Sequence, residues 1–143
     1  MFKQFRINPK EFNGPVLVTG AGGCIGSWVL TLLTDAGVPA AAMDLTEDKR
    51  RPKLLMADSE LAQVRWFTGD IADTAAVKNA VEKSGAKAII HLAALQVPFC
   101  KADPVAGAKV NVVGTINIFE AARKLGIKRI AYASSIAAHG VFD

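Results

Sequence analysis

The chain has 143 residues, 51% hydrophobic and 21% charged, which is enough for one domain with a real core and excludes a globally disordered polypeptide. Seventeen basic against thirteen acidic side chains leave +4, drawn mostly from Lys3, Arg6 and Lys10 and from the run Lys49, Arg50, Arg51 and Lys53; with 7% aromatic residues this argues against a nucleic-acid face of cations and stacking rings. No apolar run reaches the roughly 18 residues of a membrane span, the first turns carry no secretory apolar region, and two cysteines make no disulfide framework, so the expected setting is the cytoplasm, with neither membrane nor nucleic acid as partner.

Residues 1–14 read as an N-terminal arm, loosely ordered, although Phe2, Phe5 and Phe12 argue that part of it packs. The domain proper is expected from 15 to 143, beginning with a strand over Val16–Thr19 and a glycine-rich turn. A helix follows over Cys24–Asp35, with Ile25, Trp28, Val29, Leu32 and Leu33 as its apolar stripe and a stop at Gly37 and Pro39. Ala40–Asp44 is the second strand; Asp48–Asp58 is ambiguous because Pro52 interrupts any helix there. Val64–Thr68 is the third strand. Asp73 is a good N-cap for a helix ending at Gly85, and Ala88–Leu92 is the fourth strand, with Cys100 in a loop beyond it. Pro104, after the N-cap Asp103, opens a helix reaching Gly126, with Val112, Ile116, Phe119 and Ala122 as its stripe. Arg129–Ser134 is the fifth strand. The strands are nearly continuous in apolar character, as strands covered on both faces are. Alternation with helices gives an α/β fold, a doubly wound parallel sheet.

The turn Thr19-Gly20-Ala21-Gly22-Gly23-Cys24-Ile25-Gly26 joins a strand to a helix start, where unpaired amides and the positive end of the helix dipole attract a phosphate. Gly20 allows the tight exit, Gly23 admits a pyrophosphate and Gly26 lets the helix lie close. Gly22 also supplies a Gly-x-Gly pair, with Gly20. No Gly-Lys-Ser/Thr follows, which excludes a P-loop. Asp44, at the end of the second strand, is placed to accept hydrogen bonds from an adenosine ribose, which favours NAD. A 2'-phosphate would be repelled there; NADP is the less favoured alternative, open because Arg50 and Arg51 have the reach to fold back. Cys24 at the helix start is expected to be covered by cofactor. His91 and His139 have no carboxylate or cysteine at ligand spacing, so no metal is expected.

Together, Thr19 to Gly26, Asp44, Gly69-Asp70-Ile71, His91-Leu92-Ala93-Ala94, Asn111 with Gly114-Thr115, and Ser134-Ser135 resemble the extended short-chain dehydrogenase/reductases, in particular the NAD-dependent nucleotide-sugar epimerases and dehydratases such as UDP-glucose 4-epimerases. The likeness spans Pro15 to Gly140. It implies a Rossmann sheet of order 3-2-1-4-5 and a nucleotide-sugar substrate. Gly20, Gly23 and Gly26, with the backbone of Cys24 and Ile25, would hold the pyrophosphate, Asp44 the ribose, and Asp70 and Ile71 the adenine. Leu92, Ala93 and Ala94 would line the cofactor, the latter two near its second ribose; Asn111 would brace the active-site side of the sheet, and Ser135 would be the catalytic hydroxyl that bonds the substrate.

The same resemblance implies a tyrosine acid/base with a lysine four residues on, about two dozen residues beyond the serine. The only tyrosine is Tyr132, upstream of Ser135 and inside the fifth strand. The expectation is therefore a domain truncated after the fifth strand, without the substrate lobe and inactive alone. Two alternatives stay open: a non-catalytic dinucleotide-binding sensor or partner-binding module, and one chain of a split enzyme. The exposed edge of Arg129–Ser134 is expected to drive self-association.

Overall fold

In the computed structural model, residues 7–140 are described, the side chain of His139 excepted. Five parallel strands form one sheet: β1 Val16–Thr19, β2 Ala40–Asp44, β3 Arg65–Thr68, β4 Ala88–His91 and β5 Arg129–Tyr132. Their order is β3-β2-β1-β4-β5, the expected one, with Val16 in register with Ala40 on one side and Ala88 on the other. β1 is central and its four residues are fully buried, as a run of Val, Leu, Val and Thr between two neighbours and two helical layers must be.

Alternation along the strands feeds two cores. Leu17, Met43 and Ile89 pack with Val77 and Val81 of α3 (Thr74–Ser84, after the four-residue α2, Asp58–Leu61) and with Ile118, Ala121 and Ala122. Val16, Val18 and Ala42 pack on the other face with Leu30 and Leu33 of α1 (Cys24–Asp35) and with Met56, Leu61 and Val64. Each fully buried Leu, Ile or Val contributes about 1.5–3 kcal/mol. The ends of α3 are set locally: the Asp73 carboxylate accepts from the amides of Ala75 (2.8 Å) and Ala76 (3.3 Å), and Gly85 closes the helix at φ 64°.

Three expectations need correction. The chain after β4 is not a loop: Val97–Ala102 forms α4, with Pro98 in its first turn, so Cys100 is helical. The long helix after Asp103 is not uniform, because α5 (Pro104–Ala108) passes through a π-helical segment, Lys109–Gly114, into α6 (Thr115–Lys124). The wider turn shifts the helical phase. Val112, Ile116 and Phe119 face outward, and Gly114, Asn117, Ile118, Ala121 and Ala122 face the core. The stripe of α1 also differs from the expected one: Ile25 is 64% exposed and Trp28 37%, while Gly26, Ser27, Leu30, Thr31 and Leu33 are buried. Small residues face inward there because the helix start lies against the backbone of Gly20 and Ala21.

In the arm, Phe12 and Ile7 pack against the second core, and the Arg129 guanidinium lies over the Phe12 ring and donates to the Glu11 carbonyl. The described part of the arm is therefore docked rather than loose; Phe2 and Phe5 lie outside the described residues.

Candidate functional site

The chain leaves β1 toward β2 on one side and returns to β4 on the other, so a crevice opens beyond the carboxyl ends of these strands where the order reverses. A cavity of about 450 Å³ occupies it. Its floor is backbone. Gly20 adopts φ 68°, and a Cβ there would stand 2.8 Å from the Ala93 nitrogen. A Cβ on Gly26 would come within 2.2 Å of the Gly20 carbonyl oxygen, so only glycine lets the first turn of α1 seat on the loop. At Gly23 the added atom would have one neighbour within 4 Å, the Gly20 oxygen at 3.1 Å, and would otherwise fill open space.

The loop is anchored from below. The Gly20 amide donates to the Met43 carbonyl at 2.9 Å, and the Gly23 amide closes the turn onto Gly20 at 3.1 Å. Gly23 is the N-cap of α1 and has no side chain to cap it. The first-turn amides of Cys24, Ile25 and Gly26 thus border the cavity with the dipole's positive end behind them. Opposite, Asp44 accepts from the Gly22 amide through Oδ2 (2.9 Å) and from the Leu45 amide through Oδ1 (2.8 Å). Its carboxylate is therefore oriented before any ligand arrives, with lone pairs left for further donors.

All the expected cofactor residues except Asn111 line this one cavity: Gly20, Gly23, Cys24, Ile25, Gly26, Asp44, Asp70, Ile71, Leu92, Ala93 and Ala94. Asp70 accepts from the Ala72 amide (2.8 Å), while Ile71 packs against Gly114, where a Cβ would clash with it at 2.6 Å. Asn111, in the π-helical segment, grips Leu95 instead: its Oδ1 accepts from the Leu95 amide (2.7 Å) and its Nδ2 donates to the Leu95 carbonyl (2.9 Å). Ser135 is exposed, accepts from the Ala137 amide at 3.2 Å as the cap of a 3-10 turn, and is not among the lining residues.

Arg51, one of the two arginines expected to have the reach, lines the cavity along with Asp44; nothing in the sequence pointed to Asp48 there, nor to Gln96 and Ala133. Pro52, which made this stretch ambiguous, starts a 3-10 turn with Arg51 as its N-cap residue. Arg50 does not enter; it forks onto Asp48 (2.9, 3.1 and 2.7 Å), and this hydrogen bonding holds the Asp48 carboxyl down to about 2. Tyr132 also stands apart, stacked on His91 at 5.9 Å and edge-on to Phe119 at 6.1 Å. Among the described residues, no group of three His, Cys, Asp or Glu is placed to hold a metal ion, and no helix is long and apolar enough to cross a membrane.

Similarity to known proteins agrees with this geometry. The UDP-glucose 4-epimerase of Mus musculus is 34% identical over 134 residues, covering 87% of this chain and 38% of the relative. The NAD-dependent glucose-6-phosphate dehydrogenase of Haloferax volcanii is 33% identical over 133 residues, 90% of this chain and 46% of its own length. The crystal structure of the Thermus thermophilus UDP-glucose 4-epimerase in complex with NAD superposes with a TM-score of 0.73 at 32% identity, over 85% of this chain and 37% of that one. The chain thus spans less than half the length of these relatives. With residues 16–143 matching the family's own pattern, the chain belongs to the NAD dependent epimerase/dehydratase family.

Proposed function

We propose that this chain is the NAD-binding portion of an enzyme that epimerises or dehydrates a nucleotide sugar. The observation that carries the reading is the glycine-walled first turn of α1 facing the pre-oriented Asp44 across one cavity. The amides of Cys24, Ile25 and Gly26 would hold the pyrophosphate, Asp44 the adenosine ribose, Asp70 and Ile71 the adenine, and Leu92, Ala93 and Ala94 the second ribose. When bound, NAD supplies the hydride acceptor for transient oxidation at a hydroxyl-bearing sugar carbon. Asn111 braces the Leu95 backbone that borders the cavity. Ser135, two residues beyond the lining residue Ala133, offers a hydroxyl to the substrate.

NAD is the reading over NADP, since Asp44 repels a 2'-phosphate and Arg50 is occupied by Asp48; Arg51, which lines the cavity, is the one cation of the pair left to meet such a phosphate. The 143-residue chain alone should be inactive: Tyr132 lies inside β5 with Ile136, not a lysine, four residues on, and loss of a general base costs about a hundred- to ten-thousand-fold. The thiols of Cys24 and Cys100 are both free, in keeping with a cytoplasmic setting. Self-association is expected across the β5 edge, where Tyr132 stands exposed beside the outward Ile116 and Phe119. Calorimetry of NAD and NADP against the chain tests the central reading: NAD must bind more tightly, and Asp44→Ala must weaken it. Equal affinity for both cofactors overturns the assignment to NAD, and no heat from either overturns the site.

A further inference from the structure

One buried histidine, His91, ties together the elements that border the cavity. The last residue of β4, it is 1% exposed and in register with Thr19 of β1 and Tyr132 of β5. The Thr115 hydroxyl argues for one direction of the hydrogen bonds around its ring. The Thr115 hydroxyl donates to the Asn111 carbonyl at 2.8 Å, so toward the ring, 3.2 Å from Nε2, its oxygen is an acceptor and Nε2 carries the proton. Nδ1 is then the acceptor and takes the Thr19 hydroxyl proton at 2.6 Å. With its own proton committed, Thr19 Oγ1 accepts from the amide of Ala93 (3.3 Å) and shares the amide of Leu92 (3.2 Å) with the Thr19 backbone carbonyl (3.2 Å). Asn111, whose carbonyl ends this chain of bonds, grips Leu95 through its side chain. The segment Leu92–Leu95, which lines the cavity, is thereby held at its first end by Thr19, through the His91 tautomer, and at its far end by the Asn111 side chain.

We propose that neutral His91, protonated on Nε2, is a positioning residue for the cofactor site: through Thr19 it fixes the Ala93 end of the lining segment in the shape that receives the dinucleotide, and a second ring proton frees the Ala93 amide. The inference rests on the dinucleotide reading of the cavity. Protonation at Nδ1 would turn an acceptor into a donor facing the Thr19 hydroxyl. Thr19 must then reverse its own proton and surrender a loop amide, the longer bond from Ala93, because its oxygen has no lone pair to spare. The groups facing the ring are Thr19 from β1, Thr115 from the helix and the Tyr132 phenol from β5; none is a carboxylate or a cation. Burial without a countercharge pushes the His91 pKa below its ordinary 6.5, so the circuit is complete above that pH and opens as pH falls toward the lower folded-state value.

The test is nuclear magnetic resonance of the full chain without ligand, joined to NAD calorimetry between about pH 5 and 7.5. The His91 ring nitrogens should report the Nε2–H tautomer at neutral pH. On acidification the Ala93 amide should lose hydrogen-exchange protection and NAD affinity should fall about tenfold or more. Thr19→Val should expose Ala93 and weaken NAD at every pH, flattening the profile, and Thr19→Ser should restore both. An Nδ1–H tautomer, or Ala93 protection that ignores both pH and Thr19→Val, overturns the proposal. Protection that tracks His91 while NAD binds at no pH upholds the circuit and overturns the dinucleotide reading instead.

Discussion

Gly26→Ala puts one methyl group where the structure has least room. The new Cβ would lie 2.2 Å from the Gly20 carbonyl oxygen and 2.8 Å from Ala21 Cα, both backbone atoms that cannot swing aside. Restoring contact distance moves the loop and the helix start apart. That displacement strains the Gly23 to Gly20 bond (3.1 Å) and the Gly20 to Met43 bond (2.9 Å). Overpacking of this kind costs about 1–3 kcal/mol, and each weakened backbone bond up to about 1 kcal/mol. Alanine's better helix propensity returns at most about 1 kcal/mol. The net expectation is a loss of about 1–3 kcal/mol in urea unfolding. NAD affinity should fall about tenfold or more, since the first-turn amides no longer converge on one point. Gly126→Ala is the comparison: its site is open, its φ of 69° carries the only strain, and it lies away from the cavity, so it should lower stability modestly and leave NAD affinity unchanged. Wild-type stability and NAD affinity in Gly26→Ala would refute the claim that the helix start needs bare backbone.

Other outcomes follow from the same contacts. Asp44→Asn keeps the shape but trades an acceptor oxygen for an amide, so NAD affinity by calorimetry should drop about ten- to a hundredfold, at about 1.5–3 kcal/mol per charged hydrogen bond. Asp73→Ala removes the cap of α3 and should cost about 1 kcal/mol in thermal unfolding with NAD affinity unchanged. Asp48→Asn frees Arg50 beside the cavity and should narrow the NAD-to-NADP affinity ratio; an unchanged ratio would show that Arg50 does not reach a 2'-phosphate. Ile116→Lys should abolish concentration-dependent association in sedimentation, and a wild-type chain that stays monomeric at high concentration removes that expectation.

The legible part of the fold was what chemistry writes locally. β1, β2, α1 and α3 have the expected limits because Gly20, Gly37, Asp73 and Gly85 mark their ends and the central strands are apolar throughout. What did not show was phase. The spacing groups Val112, Ile116 and Phe119 on one face, but that face turns outward, and Asn117, Ile118 and Ala121 turn to the core in its place. Nor did the sequence mark Asn117 as a core residue. It is buried because its Nδ2 donates to the Ile71 carbonyl and its Oδ1 accepts from the Thr74 hydroxyl, partners 46 and 43 residues away. The cavity was readable where its lining falls in contiguous motifs at strand ends. Asp48, Gln96 and Ala133 reach it only through the path of the loops, which no spacing rule encodes.

The central claim is that a diphosphate rests on the first turn of α1. Titrating the isotopically labelled chain with NAD and following its amide resonances tests this most directly. The largest shifts should fall on Gly23, Cys24, Ile25 and Gly26, with smaller ones at Leu45 and Ala93. Shifts centred away from the carboxyl ends of β1, β2 and β4, with the α1 amides unmoved, would contradict it.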